Sequence, residues 1–265
     1  MTVALPPGVM FTQMLAKGGV MLTETRVLLS HWQPGETEAE LTARAVRDDL
    51  LGAATSSRVR NIVSVFAMRY LRPDDAPARH LKRLIAGNAS AQLFTDLVFY
   101  YTARRDGLLT EFTTRRYWPA AREGRLVITA LDVEQFLLEG ELEGRMATRW
   151  SERNRRRMAY VVLAALTDVG LLREHKPGKR EIVPYHPADG TLVYLAYALH
   201  GQGVSNASLA SHPAWALFGL EPHDVWSRLE ALAGDGWFLV QRAGQVVSIT
   251  WHYPSVEEVV DALAR

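Results

Sequence analysis

Arg149, Arg153, Arg156 and Tyr160 recur at spacings that stack them along one side of an α-helix. With Met158 at the zero of a wheel of about 100° per residue, these four fall within about 40° of the opposite pole. Arg157 lies beside them, while Asn154 and Arg155 lean back towards the apolar edge. Val161, Val162, Ala165, Leu166 and Val169 gather within about 80° of Met158 and define a stripe to be buried. Ser151 is placed to cap this helix, whose dipole adds positive potential at the same end. A guanidinium fork binds phosphate or the O6/N7 edge of guanine, so a row of them on a helix suits the major groove. Lys176, Lys179 and Arg180 follow around Pro177-Gly178, at a tip that can meet the neighbouring backbone. Arg58 and Arg60 open another helix with exposed charge. The expected DNA-binding residues are therefore Arg58, Arg60, Arg149, Ser151, Arg153, Arg156, Arg157, Lys176, Lys179 and Arg180. The expected ligand is double-stranded DNA. A competing reading neutralises the arginine row with Glu139, Glu141 and Glu143 just before it.

Reactive constellations are scarce. With no cysteine in the chain, disulfides, thiolate zinc sites and cysteine nucleophiles are excluded. Glu174-His175-Lys176 matches the end of a restriction-nuclease signature, with Pro73-Asp74 as its beginning. The two halves stand about a hundred residues apart, and the lysine falls at a hairpin tip rather than in a core strand. The eight histidines show no metal-ligand spacing. Gly201-Gln202-Gly203 lacks the third glycine and the preceding strand of a dinucleotide fingerprint. Glu139 and Glu143 form a like-charged pair one turn apart, the mark of a solvated face. No catalytic residue, cofactor or metal is expected, and the chain is read as non-enzymatic.

The elements that position these residues are mostly helices. Thr23–His31 reads as one, stopped by Pro34-Gly35, and Glu36–Leu51 as a second, with Leu41, Ala45 and Leu50 on its apolar side. Gly52-Ala53-Ala54 breaks the pattern. Thr55-Ser56-Ser57 caps a third, along which Val59, Ile62, Val63, Phe66 and Tyr70 recur until Pro73. This pair has the shape of a helix-turn-helix. Helices over Ala76–Ala86 and Ser90–Ala103 complete an N-terminal bundle over 1–105. Residues 106–129 read as a polar, basic connection. The region 130–265 then opens with an acidic helix (Leu131–Arg145) and the arginine helix (Ser151–Val169). Strands at Leu171–His175 and Glu181–Tyr185 follow. Helices at Leu192–His200, Leu209–Phe218 and Pro222–Ala233 precede strands Trp237–Gln241 and Val246–Trp251, joined at Ala243-Gly244, and a last helix over Val256–Leu263. Helices followed by a hairpin thus occur twice, in the order of winged helices. The expected fold is mainly α: an N-terminal helical bundle with a helix-turn-helix, then two winged-helix-like units with short β-hairpins.

Charge is unevenly spread behind a net of +1. Arg58–Arg83 holds seven basic and two acidic residues, and Arg145–Glu181 ten and four. Asp132–Glu143 carries five acids and no base, and Glu221–Arg265 seven acids against three bases. Chosen basic surfaces with an acidic tail suit contact with a polyanion. The helix before the second hairpin exposes His223, Asp224, Ser227, Arg228 and Glu230, which suits protein packing better than phosphate. Pro6, Pro7 and Gly8 stand where an export signal needs its apolar core, and the most apolar run, Tyr160–Leu166, is too short to span a bilayer. A cytoplasmic protein with no membrane contact is expected.

The order and spacing of several segments resemble the BrxA family of bacteriophage-exclusion (BREX) defence systems. These are Gly18-Gly19 with Glu24-Thr25-Arg26, Leu50-Leu51 with Ser57 and Arg60, the arginine-rich helix running to Leu171-Leu172, Phe218-Gly219-Leu220, and Trp251-His252-Tyr253 before Glu257-Glu258. The resemblance implies a small, helical, non-enzymatic DNA-binding protein that serves phage defence beside other proteins of the system. Some relatives carry basic residues after the Leu-Leu pair, where this chain has Gly52-Ala53-Ala54. Fewer phosphate contacts are therefore expected from the first helix-turn-helix. Two other functions fit the same residues: a winged-helix regulator of its own operon, and an interaction scaffold that binds no nucleic acid.

Overall fold

Short polar residues open most of the helices. Thr37, Thr55, Asp106, Thr129, Ser151, Ser205 and Ser255 each accept a backbone N–H from the first turn that follows. Such a cap contributes about 1 kcal/mol. A computed structural model describes residues 10–52, 55–243 and 246–265. The Met1–Val9 stretch read for an export signal, the Ala53-Ala54 part of the helix break and Gly244 of the second turn lie outside the described residues. In chain order come α1 (Leu22–His31), α2 (Glu38–Arg47), α3 (Ser56–Tyr70), α4 (Ala76–Ala86), α5 (Ala91–Ala103), α6 (Gly107–Phe112) and α7 (Trp118–Arg122). Then follow β1 (Val127–Thr129), α8 (Ala130–Leu142), α9 (Glu152–Asp168), β2 (Leu172–Lys176) and β3 (Lys179–Ile182). The last elements are α10 (Asp189–Gly201), α11 (Asn206–Leu209), α12 (Pro222–Ala233), β4 (Phe238–Ala243), β5 (Val246–Trp251) and α13 (Val256–Leu263). The chain is mainly α-helical with a few short antiparallel strand pairs, as its sequence implies.

These elements form two compact units, each discontinuous in sequence. One contains residues 10–79 with 98–185, the other residues 80–97 with 186–265. The division differs from a simple succession of bundle, connection and winged region. Residues 106–129 are not a linker: Asp106 caps α6, a π-turn over Thr113–Tyr117 leads into α7, and β1 follows. Leu108, Leu109, Phe112 and Tyr117 are buried there, an apolar set hidden in sequence by the surrounding Thr and Arg. α2 is shorter than its apolar pattern, because Thr37 and Glu40 form a capping box at one end and Asp49 turns to positive φ at the other. Between residues 206 and 218, one expected helix is instead the short α11 and a 3-10 turn opened by Pro213.

The first unit carries a buried guanidinium. Arg69, on the inner side of α3, donates to the Gly19 carbonyl at 2.6 Å and the Val20 carbonyl at 3.1 Å. Gly19 takes φ +65°, which turns its carbonyl towards α3 without a Cβ to strain, and a Cβ on Gly18 would strike Met21 Sδ. Burial pulls the Arg69 guanidinium below its ordinary range, against the pull of Tyr70 and Asp106. The same burial pushes the Asp106 carboxyl up, opposed by the Leu109 N–H and by Arg69. Thr25 and Thr102, both buried, lie beside Tyr70 in the same region.

In the other unit α10 is nearly all core, and its start is held by Asp96. That buried carboxylate accepts Ala188 N at 2.9 Å and Thr191 Oγ1 at 2.7 Å. Buried His80 meets the Tyr194 hydroxyl at 2.8 Å. The Tyr197 hydroxyl accepts His252 N at 3.1 Å and Tyr253 N at 3.2 Å and donates to the Trp237 carbonyl. Phe238 is core, while Trp237 and Trp251 are only half-buried.

Arg69→Met keeps the stem but strands two buried carbonyls and Asp106. A loss of about 2–4 kcal/mol is expected in urea unfolding, where an exposed arginine would cost under about 0.5 kcal/mol.

Candidate nucleic-acid interface

The arginine helix folds with the sidedness its sequence predicts. Along α9, Met158, Val162, Ala165, Leu166 and Val169 are buried, and Val161 is half-buried. Arg153, Arg156, Arg157 and Tyr160 are exposed, with Ser151 as the N-cap accepting Asn154 N at 3.3 Å. Asn154 and Arg155 are half-buried. Arg155 donates to the Trp150 carbonyl at 2.5 Å and reaches Glu141 at 3.6 Å, so it belongs to the packing edge.

α8 precedes α9 and packs on it. Its carboxylates are largely committed elsewhere. Glu139 pairs with Arg116, and Glu143 sits 3.5 Å from Arg115 and 3.4 Å from Arg145. Glu141 takes Arg149 at 2.9 Å in addition to Arg155. Arg149 nevertheless has 81% of its side chain exposed, and such a surface pair contributes little. Among the described residues Arg153, Arg156 and Arg157 make no ion pair. Internal neutralisation therefore reaches Arg149 and Arg155 and leaves the other three exposed.

The hairpin after α9 is tighter than the expected loop. β2 and β3 pair up to Lys176 and Lys179, with a bulge between Glu174 and Lys176, and Pro177-Gly178 makes the turn. Lys176 and Lys179 are exposed and make no ion pair among the described residues. Arg180 differs from its expected place at the tip. As a strand residue its side chain turns inward and is only 13% exposed, donating to the Lys176 and Lys179 carbonyls and pairing with Glu174 at 3.3 Å. That pair also occupies Glu174 of the nuclease-like tripeptide, and no cluster of metal-ligating side chains occurs among the described residues. Pairing with β1 puts β3 in the centre of a three-stranded sheet, ordered β1-β3-β2. Thr129 lies opposite Lys179, and Ala130 N donates to the Gly178 carbonyl at 2.8 Å. This strand was missed in the sequence, although Val127-Ile128-Thr129 is β-branched throughout and Thr129 with Asp132 forms the capping box of α8.

In the same unit, α3 exposes Arg58, Arg60, Asn61 and Ser64, without ion pairs to Arg58 or Arg60 among the described residues. α2 and α3 line a groove that includes Ala39, Ala43 and Val46 of α2 and Arg60, Asn61 and Ser64 of α3. The sequence gives this unit 25 basic and 20 acidic residues, and the other unit 5 and 9. The charge blocks thus segregate into a unit of +5 and a unit of −4. On α12 of the acidic unit, Arg228 is tied to Asp189 at 2.6 Å, and His223 contacts Asp224 at 3.2 Å. Arg242, on the following strand, holds Glu230 at 2.8 Å. No helix among the described residues is long and apolar enough to cross a membrane.

A family model described as BrxA matches residues 10–197. The chain belongs to the BrxA family. It is therefore a protein associated with BREX phage defence. The match takes in the Gly19 and Val20 carbonyls held by Arg69, α9 and the hairpin. Phe218-Gly219-Leu220 and Trp251-His252-Tyr253 lie beyond the matched residues. A crystal structure of an uncharacterized protein from Magnetospirillum magneticum has a similar fold, with a TM-score of 0.60 and 15% identity over 81% of this chain and 100% of that one. Comparison with curated proteins gives no match.

The two kinds of arginine on α9 separate in a melting experiment. Arg155→Glu loses the Trp150 contact and sets a carboxylate beside Glu141, so about 1–3 kcal/mol of stability is expected to be lost. Charge reversal at Arg153 and Arg156 should leave the melting temperature nearly unchanged.

Proposed function

We propose that this BrxA-family chain is a non-enzymatic accessory of phage defence that grips double-stranded DNA with α9 and the β2–β3 hairpin. One observation carries the reading: Arg153, Arg156 and Arg157 of α9, with Lys176 and Lys179 of the hairpin, are five exposed cations without acidic partners among the described residues. They stand in the unit of net +5. The order strand, helix, helix, strand, strand, with the first strand against the last, is that of a winged helix-turn-helix. In that geometry the second helix enters the major groove, and the hairpin meets flanking phosphates. Ser151 contributes by fixing the start of α9. Arg180 supports the hairpin from within. Arg58 and Arg60 offer a second basic helix start, and Arg149 extends the α9 row once released from Glu141.

If the five cations each neutralise a phosphate, log K should fall against log salt with a slope of about −4.5. Anisotropy titrations of a labelled duplex from low to physiological salt measure this. A response flat in salt, or no binding at low salt, would sink the proposal and leave a protein-binding scaffold. Discrimination of one sequence by about 10³ or more would instead favour an operator-reading regulator. Reversal of Arg153 and Arg156 should abolish binding, and reversal of Lys179 should weaken it similarly on all sequences. Arg228→Glu, in the acidic unit, should leave it intact.

A further inference from the structure

The exposed pole of α9 ends at Tyr160, which the cationic argument leaves unused. The residue is 38% exposed, and its hydroxyl makes no hydrogen bond to a described residue. Arg156 and Arg157 precede it by one helical turn, so the phenol sits at the hairpin end of the arginine row. Gly178, at the turn between Lys176 and Lys179, lies directly against it. A Cβ added to Gly178 would stand 3.1 Å from Tyr160 Oη, 3.7 Å from its Cζ and 3.8 Å from the Cβ of Ala130. Gly178 also takes φ +72°, a conformation side chains rarely adopt. The approach is fixed by backbone: the Gly178 carbonyl accepts Ala130 N at 2.8 Å, and β3 is paired on both sides.

We propose that Tyr160 and the hairpin tip form one seat for a DNA backbone phosphate, with the Tyr160 hydroxyl donating to a phosphate oxygen between the arginine row and the two tip lysines. The proposal rests on the DNA-binding reading above and adds a neutral donor to it. Glycine at the tip leaves Oη uncovered, since a Cβ at position 178 would stand 3.1 Å from it. Any side chain at position 178 would cover Oη or push the tip away. Because the phenol carries no charge, its contact adds hydrogen-bond energy without displacing a counterion. That separates it from every arginine and lysine in the interface.

The discriminating experiment compares Tyr160→Phe, Arg156→Gln and the unaltered chain by duplex anisotropy across a salt series. Tyr160→Phe should bind about tenfold more weakly at every salt concentration, the loss of a hydrogen bond to a charged group, with an unchanged slope. Arg156→Gln should lower affinity and flatten the slope by about 0.9. Gly178→Ala should weaken binding of the unaltered chain and add little once Tyr160→Phe is present. Tyr160→Phe binding within twofold of the unaltered chain, or a changed slope, would overturn the seat. So would a fall in its melting temperature parallel to the lost affinity, which would make Tyr160 a packing residue. If reversal of Arg153 and Arg156 abolishes binding while Tyr160→Phe does not alter it, the seat fails and the DNA-binding reading stands. Absence of DNA binding by the unaltered chain overturns both.

Discussion

The hydrogen bond from Ala130 N to the Gly178 carbonyl, with the β1–β3 pairing around it, fixes where the hairpin stands. Without that strand, β2 and β3 would be an isolated two-stranded ribbon, a form with marginal stability in water. Pairing on both sides makes β3 a central strand. It also ties the tip to the first residue of α8, whose packing on α9 orients the arginine row. Helix and hairpin are thereby held by backbone contacts, and the exposed cations need no contacts of their own to be placed. Arg180 reinforces this from inside the hairpin, where its Nη1 donates to the Lys176 carbonyl at the end of β2 and the Lys179 carbonyl at the start of β3.

The distribution of arginine partners follows from the same constraint. α8 and its C-cap offer carboxylates along their length, and the arginines that reach them come from residues 115–125 and 145–155. Arg153, Arg156 and Arg157 lie on the exposed side of α9 and keep their charge in solvent. Acidic neighbours in sequence therefore do not imply neutralisation; the direction of the side chain from its helix decides it.

Amphipathic helices were the most legible part of the sequence. The buried stripe of α9, the apolar set of α3 and the full extents of α4, α12 and α13 follow from period and caps, because one strong apolar face dominates each. The helical nature of residues 107–122 was hidden. Its buried Leu108, Leu109, Phe112 and Tyr117 are interrupted by a π-turn that shifts the period, and Asp106-Gly107 reads as a turn unless Asp106 is seen as a cap. β1 escaped notice because three residues carry no alternation, and its partner lies about fifty positions away. Within the candidate site, exposure of Arg153, Arg156 and Arg157 was readable from the wheel. The inward turn of Arg180 was not, since it depends on which strand residue faces the bulge at Glu174. The discontinuous division of the chain into two units was likewise beyond local pattern, for it depends on long-range pairings such as Asp96 with Thr191.

A net charge of +1 describes neither unit. With +5 on one and −4 on the other, the molecule is ambipolar, and its average is a cancellation rather than an absence of charge. Colloidal behaviour follows from the parts. In dilute buffer, where the Debye length is about 30 Å, the basic unit of one molecule attracts the acidic unit of another. Near 0.15 M salt, where that length shrinks to about 8 Å, the attraction is confined to near contact. On the proposed reading, the acidic unit of another copy would compete in dilute buffer for the surface that nucleic acid would occupy.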